Sequence, residues 1–249
     1  MPNGIYHVYV KDEDMQVERP YTPINGIGVD GRMIFWIKRY PRGEVSNWIA
    51  RQAGKSIEIR GPIQQWDWRK EECDEIIMIG GGTGVTAFTQ ILHEAFFPSR
   101  PVTTSVNART HFTLLHCHRT PSQLPPSEIT NDFAQYKETD GHRFTEKAYV
   151  DDLDSDVDDP PRGVTHGLID KKELEKVLLQ RGILKRESGG IWSADKVVRN
   201  PEKKVKVLVC GPEGLNVSMA GPRSKPNALP QIGGILGELG FEPSQIIRL

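Results

Sequence analysis

The stretch Ile76-Ile77-Met78-Ile79-Gly80-Gly81-Gly82-Thr83-Gly84-Val85-Thr86 decides the architecture. Four consecutive apolar residues suit a strand covered on both faces. They run straight into glycines, whose missing Cβ atoms let backbone N–H groups come close to a pyrophosphate, while the next helix turns its positive end toward the same charge. Val85, Phe88, Ile91, Leu92, Ala95 and Phe96 then recur at three- and four-residue steps, which predicts a helix with one apolar face, ending at Pro98. Gly80, Gly82 and Gly84 give GxGxG, one residue short of the dinucleotide fingerprint GxGxxG, so the match rests on its strand–loop–helix context. No Lys-Ser or Lys-Thr follows, which argues against a triphosphatase loop.

Toward the C-terminus, the pattern predicts a strand at Phe112 to His116 and a helix at Lys171 to Gln180 with Asp170 as cap and Glu173 three residues on. Another strand is expected at Val205 to Val209. Alternating strands and helices imply a parallel sheet. Between them, residues 121–165 are polar, with six aspartates in Asp151 to Asp159, and read as a solvated, disordered acidic insertion. Asp152, Asp154 and Asp156 look like the start of a calcium loop. Val157 stands where the turn glycine belongs, however, and Gly163 where the closing glutamate belongs, which favours a plain acidic loop.

Before the glycine run the pattern changes to short strands separated by turn residues: Tyr6 to Val10, Met15 to Tyr21, Met33 to Ile37 and Ser56 to Arg60, the last closed by Gly61-Pro62. Their close spacing predicts an antiparallel β-barrel. The expected fold is therefore two-domain: an antiparallel β-barrel over residues 1–72, then an α/β parallel-sheet nucleotide-binding domain over 73–249.

Lys plus Arg (32) nearly cancel Asp plus Glu (33), so there is no broad basic field for nucleic acid and no polybasic membrane patch. The three cysteines, Cys73, Cys117 and Cys210, lie far apart without CxxC spacing and encode neither a disulfide framework nor a zinc knuckle. His116 and His118 share a strand face with no obvious third ligand, so no metal site is expected. Apolar runs fall well short of the ~20 residues of a membrane helix.

Two further motifs sit in the first domain. Arg19-Pro20-Tyr21-Thr22 ends a strand, and Gly43-Glu44-Val45-Ser46 opens a short helix, so a guanidinium and a helix start can grip one diphosphate from two sides. Each tetrapeptide alone is a common accident. Their order, followed by Gly80 to Thr86 and then Cys210-Gly211-Pro212, resembles the ferredoxin-NADP reductase superfamily, and within it the NADH-cytochrome b5 reductase-like branch, which shows RxY[ST], GxxS, GGGTGIT and CGP in that sequence.

The resemblance implies an FAD-binding barrel and an NAD(P)-binding α/β domain. Arg19 would bind the FAD pyrophosphate with Pro20 beside it, Tyr21 would pack on the flavin ring, and Thr22 would hydrogen-bond near the flavin N5. The backbone of Gly43, Glu44, Val45 and Ser46 would complete that site. Gly80, Gly81, Gly82, Thr83 and Gly84 would cradle the nicotinamide dinucleotide, while Cys210, with Gly211 and Pro212, would approach the nicotinamide ring. Arg119, with His118, would suit a 2′-phosphate, which leans toward tolerance of NADPH. Trp66 and Trp68 are packing or adenine-stacking residues.

Against the family, Ala87 stands where a proline is usual, and a strand ahead of Tyr6 is absent. The barrel is thus expected to be N-terminally incomplete, with any membrane association supplied by a missing N-terminal segment. The glycine-rich tail, Gly211 to Gly214, Ala220 to Pro222 and Gly233 to Gly240, resembles fungal mitochondrial inner-membrane flavoproteins related to the cytochrome c import and haem-attachment factor. The implied activity is hydride transfer from NADH or NADPH to FAD and onward electron transfer to a haem protein in cytochrome c maturation. Two other readings are a degenerate flavoprotein-like scaffold without turnover and a dinucleotide-binding reductase without flavin. Arg19, Tyr21 and Thr22 together with Gly43 and Ser46 speak against the last.

Overall fold

The computed structural model describes residues 4–28, 30–98, 109–154, 159–188, 196–223 and 232–249. Asp156 and Val157, the middle of the calcium-like stretch, lie outside them.

The first part of the chain is antiparallel. Strands β1 (Ile5–Asp12), β2 (Val17–Tyr21) and β5 (Ile59–Trp66) form a sheet in the order β2-β1-β5, and β3 (Ile24–Ile27) pairs with β4 (Met33–Ile34). A short helix, α1 (Glu44–Ile49), lies between β4 and β5. Two expectations need correcting. Gly61-Pro62 does not close the last strand, because β5 is a sheet edge, where proline's missing N–H costs no ladder bond; it runs on to Trp66 with a register shift opposite His7 to Tyr9. And the strand foreseen over Met33 to Ile37 stops at Ile34, leaving Phe35 to Tyr40 without regular secondary structure.

From β6 (Glu75–Gly81) the chain is parallel. A 3-10 turn at Gly82–Val85 leads into α2 (Thr86–Phe96), followed by β7 (His111–His118), α3 (Ser127–Asp140), β8 (Phe144–Val150), β9 (Val164–His166) and α4 (Lys171–Gln180). A small hairpin, β10 (Leu184–Glu187) with β11 (Lys196–Arg199), precedes β12 (Val205–Cys210), α5 (Glu213–Ala220), α6 (Gly234–Glu238) and β13 (Ile246–Arg248). Six strands form one parallel sheet in the order β13-β12-β6-β7-β8-β9. All of β6 is buried, as its apolar run requires, and the cap of α4 is the foreseen one: the Glu173 N–H donates to Asp170 Oδ1 at 2.7 Å. Trp68 is a packing residue, 1% exposed and edge-on to Phe112. In the tail, a Cβ on Gly221 or Gly234 would meet the backbone of Gly233 or Ser218, so these glycines let α5 and α6 cross closely.

The largest correction concerns the segment expected as a disordered insertion, whose described residues 121–154 and 159–165 are part of the fold. They contain α3 and β8, and β8 lies between β7 and β9 inside the sheet. Ile129, Phe133 and Tyr136 form a narrow apolar stripe at helical spacing and pack with Phe144 against the core, so a few well-placed residues outweigh a polar average. The charges on β8 are internally satisfied. Lys147 pairs with Glu173 at 3.2 Å, and Glu146 receives His116 Nε2 at 2.8 Å and Lys137 at 2.6 Å.

Burial alone would raise the Glu146 carboxyl, but His116 and Lys137 outweigh it and hold the group at about 2, against an ordinary 4.5. A depressed carboxyl stabilises the fold above its unfolded value, and that contribution is lost as pH falls through the folded one. Urea midpoints are therefore expected to fall from pH 4.5 toward 2, and Glu146→Gln is expected to be less stable at neutral pH yet flatter across that window. Parallel pH profiles for the two proteins would contradict this.

Candidate active site

At the carboxyl ends of β6 and β12, where open parallel sheets place their ligands, a cavity of about 650 Å³ lies against the antiparallel part. Arg19, Pro20, Tyr21 and Thr22 line it from one side with Gly43, Glu44, Val45 and Ser46; Gly81, Gly82, Thr83 and Gly84 line it from the other with Cys210, Gly211 and Pro212. Four motifs far apart in the sequence thus share one space. Its volume is in the range of small-molecule and cofactor sites.

The glycine loop is built by close approach. A Cβ on Gly84 would stand 2.4 Å from the Cys210 carbonyl oxygen, and one on Gly81 2.8 Å from Leu215, so the loop and the turn after β12 fit together only without side chains. Gly82 has φ +54 and nothing within 4 Å of its would-be Cβ: it faces the open cavity. The chain turns helical from Gly82 onward without a side-chain cap, leaving first-turn N–H groups for a ligand. Gly80 is not in the wall; its missing side chain makes room for Phe88, whose ring would be 3.2 Å away.

On the other side, Ser46 fixes the turn before α1: its Oγ accepts from the Tyr40 N–H at 3.2 Å and donates to the Gly43 carbonyl at 3.3 Å. A Cβ on Gly43 would collide with that hydroxyl at 2.6 Å. Among the described residues the Arg19 guanidinium hydrogen-bonds only the Glu18 carbonyl, at 2.9 Å, and no carboxylate pairs with Arg19 or Arg42. Lys38 binds the Gln123 amide oxygen at 2.9 Å and stands 5.7 Å from the centre of the Tyr40 ring. Three cations with no paired carboxylate among the described residues, together with two helical starts lacking a side-chain cap, form a donor set suited to diphosphate. Burial raises the Tyr21 phenol, partly opposed by Arg19, so this ring presents a neutral, half-buried face. Burial pushes the Cys210 thiol up to about 12; it contributes shape rather than charge.

Arg119 is not brought into this cavity. β7 ends at His118, the Arg119 carbonyl accepts from the Asp152 N–H, and the exposed guanidinium lies 3.8 Å from the Asp152 carboxylate. His118 is buried and does not line the cavity either. Burial, with His116 beside it, lowers its pKa to about 3, and its Nε2 is 2.9 Å from His116 Nδ1. Conversely, the cavity recruits Phe35, Trp36, Ile37, Lys38, Tyr40 and Arg42, which sequence reasoning passed over as strand and loop. The density of rings and cations in Phe35 to Arg42 was the available signal.

Residues 2–68 match the family described as Oxidoreductase FAD-binding domain, and residues 78–220 the one described as Oxidoreductase NAD-binding domain. The protein "NADH-cytochrome b5 reductase 2" of Candida albicans is 29% identical over 241 residues, covering 96% of this chain and 69% of that protein. Its namesake in Lodderomyces elongisporus is 30% identical over 245 residues, again 96% of this chain and 69% of the relative. Among solved structures, the cytochrome b5 reductase domain of Ulva prolifera nitrate reductase superposes with a TM-score of 0.65 at 19% identity, over all of this chain and 85% of the other. The CS-b5R domains of human Ncb5or, in the NAD+ form, give 0.66 at 18% identity over all of this chain and 61% of that one.

Proposed function

Because the chain belongs to the oxidoreductases that join this FAD-binding domain to this NAD-binding domain, and with them to the NADH-cytochrome b5 reductase type, we propose that it oxidises NADH and delivers single electrons to a haem protein. Its coarser activity, NAD(P)H-dependent reduction of FAD, follows from that membership. The observation that carries the reading is the shared cavity, with Arg19 to Thr22 and Gly43 to Ser46 on one wall and Gly81 to Gly84 with Cys210 on the other.

Bound FAD supplies the conversion of a two-electron donor into one-electron steps. The chain supplies placement. Arg19 and the start of α1 hold one diphosphate, the Gly82 turn admits the backbone to the other, Tyr21 and Thr22 border the space between, and the neutral Cys210 closes it next to Gly211 and Pro212. An intact double cradle favours turnover over the scaffold reading.

NADH is favoured over NADPH because carboxylates crowd the region beyond β7 that a 2′-phosphate would approach. Asp152 stands by Arg119, and Asp154 accepts from the Ser122 N–H and hydroxyl at 2.9 and 3.0 Å. Placement at the mitochondrial inner membrane and service in cytochrome c maturation rest on the tail resemblance. Among the described residues no helix is long and apolar enough to cross a membrane.

The test is steady-state reduction of a b-type and a c-type cytochrome with each nucleotide. NADH is expected to drive at least one of them, with kcat/KM about tenfold or more above NADPH, the effect of one unfavourable charge contact. Reduced flavin that passes electrons to neither haem protein would overturn the acceptor, and a preference for NADPH would overturn the nucleotide.

A further inference from the structure

Helix α2 is buried on two sides. Its apolar face packs on the parallel sheet, while Thr86, Thr89 and Gln90, polar and spaced as helix neighbours, are also buried, Gln90 being 5% exposed. These residues meet the antiparallel part. Gln90 Oε1 accepts the Tyr6 N–H at 2.9 Å, and Gln90 Nε2 donates to the Pro23 carbonyl at 2.9 Å. Thr89 Oγ1 accepts the Asn25 N–H at 3.2 Å, and a turn later Glu94 takes the Gly4 N–H and the Trp68 indole N–H, each at 3.1 Å.

The two ends of the Gln90 link matter most. Pro23 directly follows Thr22, and α2 is the continuation of the Gly82–Val85 turn. One side chain therefore ties a carbonyl next to the Arg19–Thr22 wall to the helix that begins at the glycine wall. We infer that Gln90 is a positioning residue that sets the separation and angle of the two halves of the cavity, and through them the alignment on which transfer between two bound cofactors depends. The inference rests on the flavin reductase reading above. Physically, the amide uses one donor and one acceptor on backbone groups of two buried residues. Without it those hydrogen bonds across the two halves are lost, and water entering between the halves is the route to replacing them. Transfer reactions respond steeply to such parting, a displacement of about 1 Å costing about a hundredfold in rate.

The experiment compares wild type with Gln90→Leu, which removes both bonds, and Gln90→Glu, which keeps the acceptor for Tyr6 but can donate to Pro23 only when protonated. Four quantities are read: FAD affinity, NAD+ affinity, the rate of flavin bleaching at saturating NADH, and amide exchange at Tyr6 in the flavin-free protein. For Gln90→Leu both affinities are expected within about threefold of wild type, with bleaching slowed about ten- to a hundredfold and Tyr6 exchange accelerated. Gln90→Glu is expected to regain rate, relative to wild type, as pH is lowered from about 8 to 6, because a carboxyl buried at this site holds its proton more tightly than one in water. A bleaching rate within about twofold of wild type, despite faster exchange, would reduce Gln90 to a structural brace and overturn the proposal. Should Gln90→Leu fail to fold, Gln90→Glu decides alone: a wild-type rate, flat with pH, overturns it. Wild type that NADH does not bleach would sink the flavin reading and this proposal together, whereas bleached wild type with unaffected variants sinks the proposal alone.

Discussion

Gly82→Val is expected to retain FAD and to lose reduction by NADH, with the second-order rate constant falling about a hundredfold or more, a loss near 3 kcal/mol. Two effects combine. Gly82 has φ +54, a region that a β-branched residue occupies at a cost of about 1–3 kcal/mol. The new side chain would also project into the space where a Cβ now meets nothing within 4 Å, the opening through which the first-turn N–H groups face a ligand. Gly82→Ala, with less backbone strain and a smaller projection, should fall between wild type and valine. Anaerobic stopped-flow mixing with NADH at several concentrations reads the effect. Equal rates for glycine and valine would show that the dinucleotide does not bind at this loop.

Arg19→Ala is expected to weaken FAD binding about ten- to a hundredfold while leaving the fold's stability within about 0.5 kcal/mol. Among the described residues the guanidinium hydrogen-bonds only the Glu18 carbonyl, so its removal strands no buried partner there. What disappears is a charge-assisted, potentially bidentate contact to phosphate, and Arg19→Lys should restore only part of it, because an ammonium lacks the planar fork. Equilibrium binding of FAD to the flavin-free proteins, with their melting temperatures, separates the two roles. An affinity unchanged by alanine would place the FAD diphosphate elsewhere, with Arg42 and Lys38 as the remaining cations of the wall.

What was legible in the sequence is the part governed by short-range rules. The run Ile76 to Ile79 had to be a covered strand, the glycines after it a close-approach turn, and Asp170 with Glu173 a capped helix start, since each depends on neighbours a few residues apart. The motif order then assigned both walls of the cavity. What escaped depends on partners distant in sequence. Glu146 and Lys147 read as solvated until β7, α3 and α4 supply His116, Lys137 and Glu173, and so a sheet strand passed for an acidic loop. For α2 only one apolar face was expected, yet Thr89 and Gln90 outside that face are also covered, by the antiparallel part. Met33 to Ile37 matched a strand pattern, but only the tertiary fold turns Phe35 to Arg42 into a cavity wall. Arg119 and His118 stood where a phosphate-binding pair belongs, and burial of one and pairing of the other cancelled them.

The most direct measurement is an anaerobic titration of the FAD-reconstituted protein with NADH, followed in the visible flavin band. The account predicts saturable uptake of one FAD per chain and bleaching that is complete near one equivalent of NADH. A protein that binds no flavin, or one whose bound flavin stays oxidised with both NADH and NADPH, would contradict it.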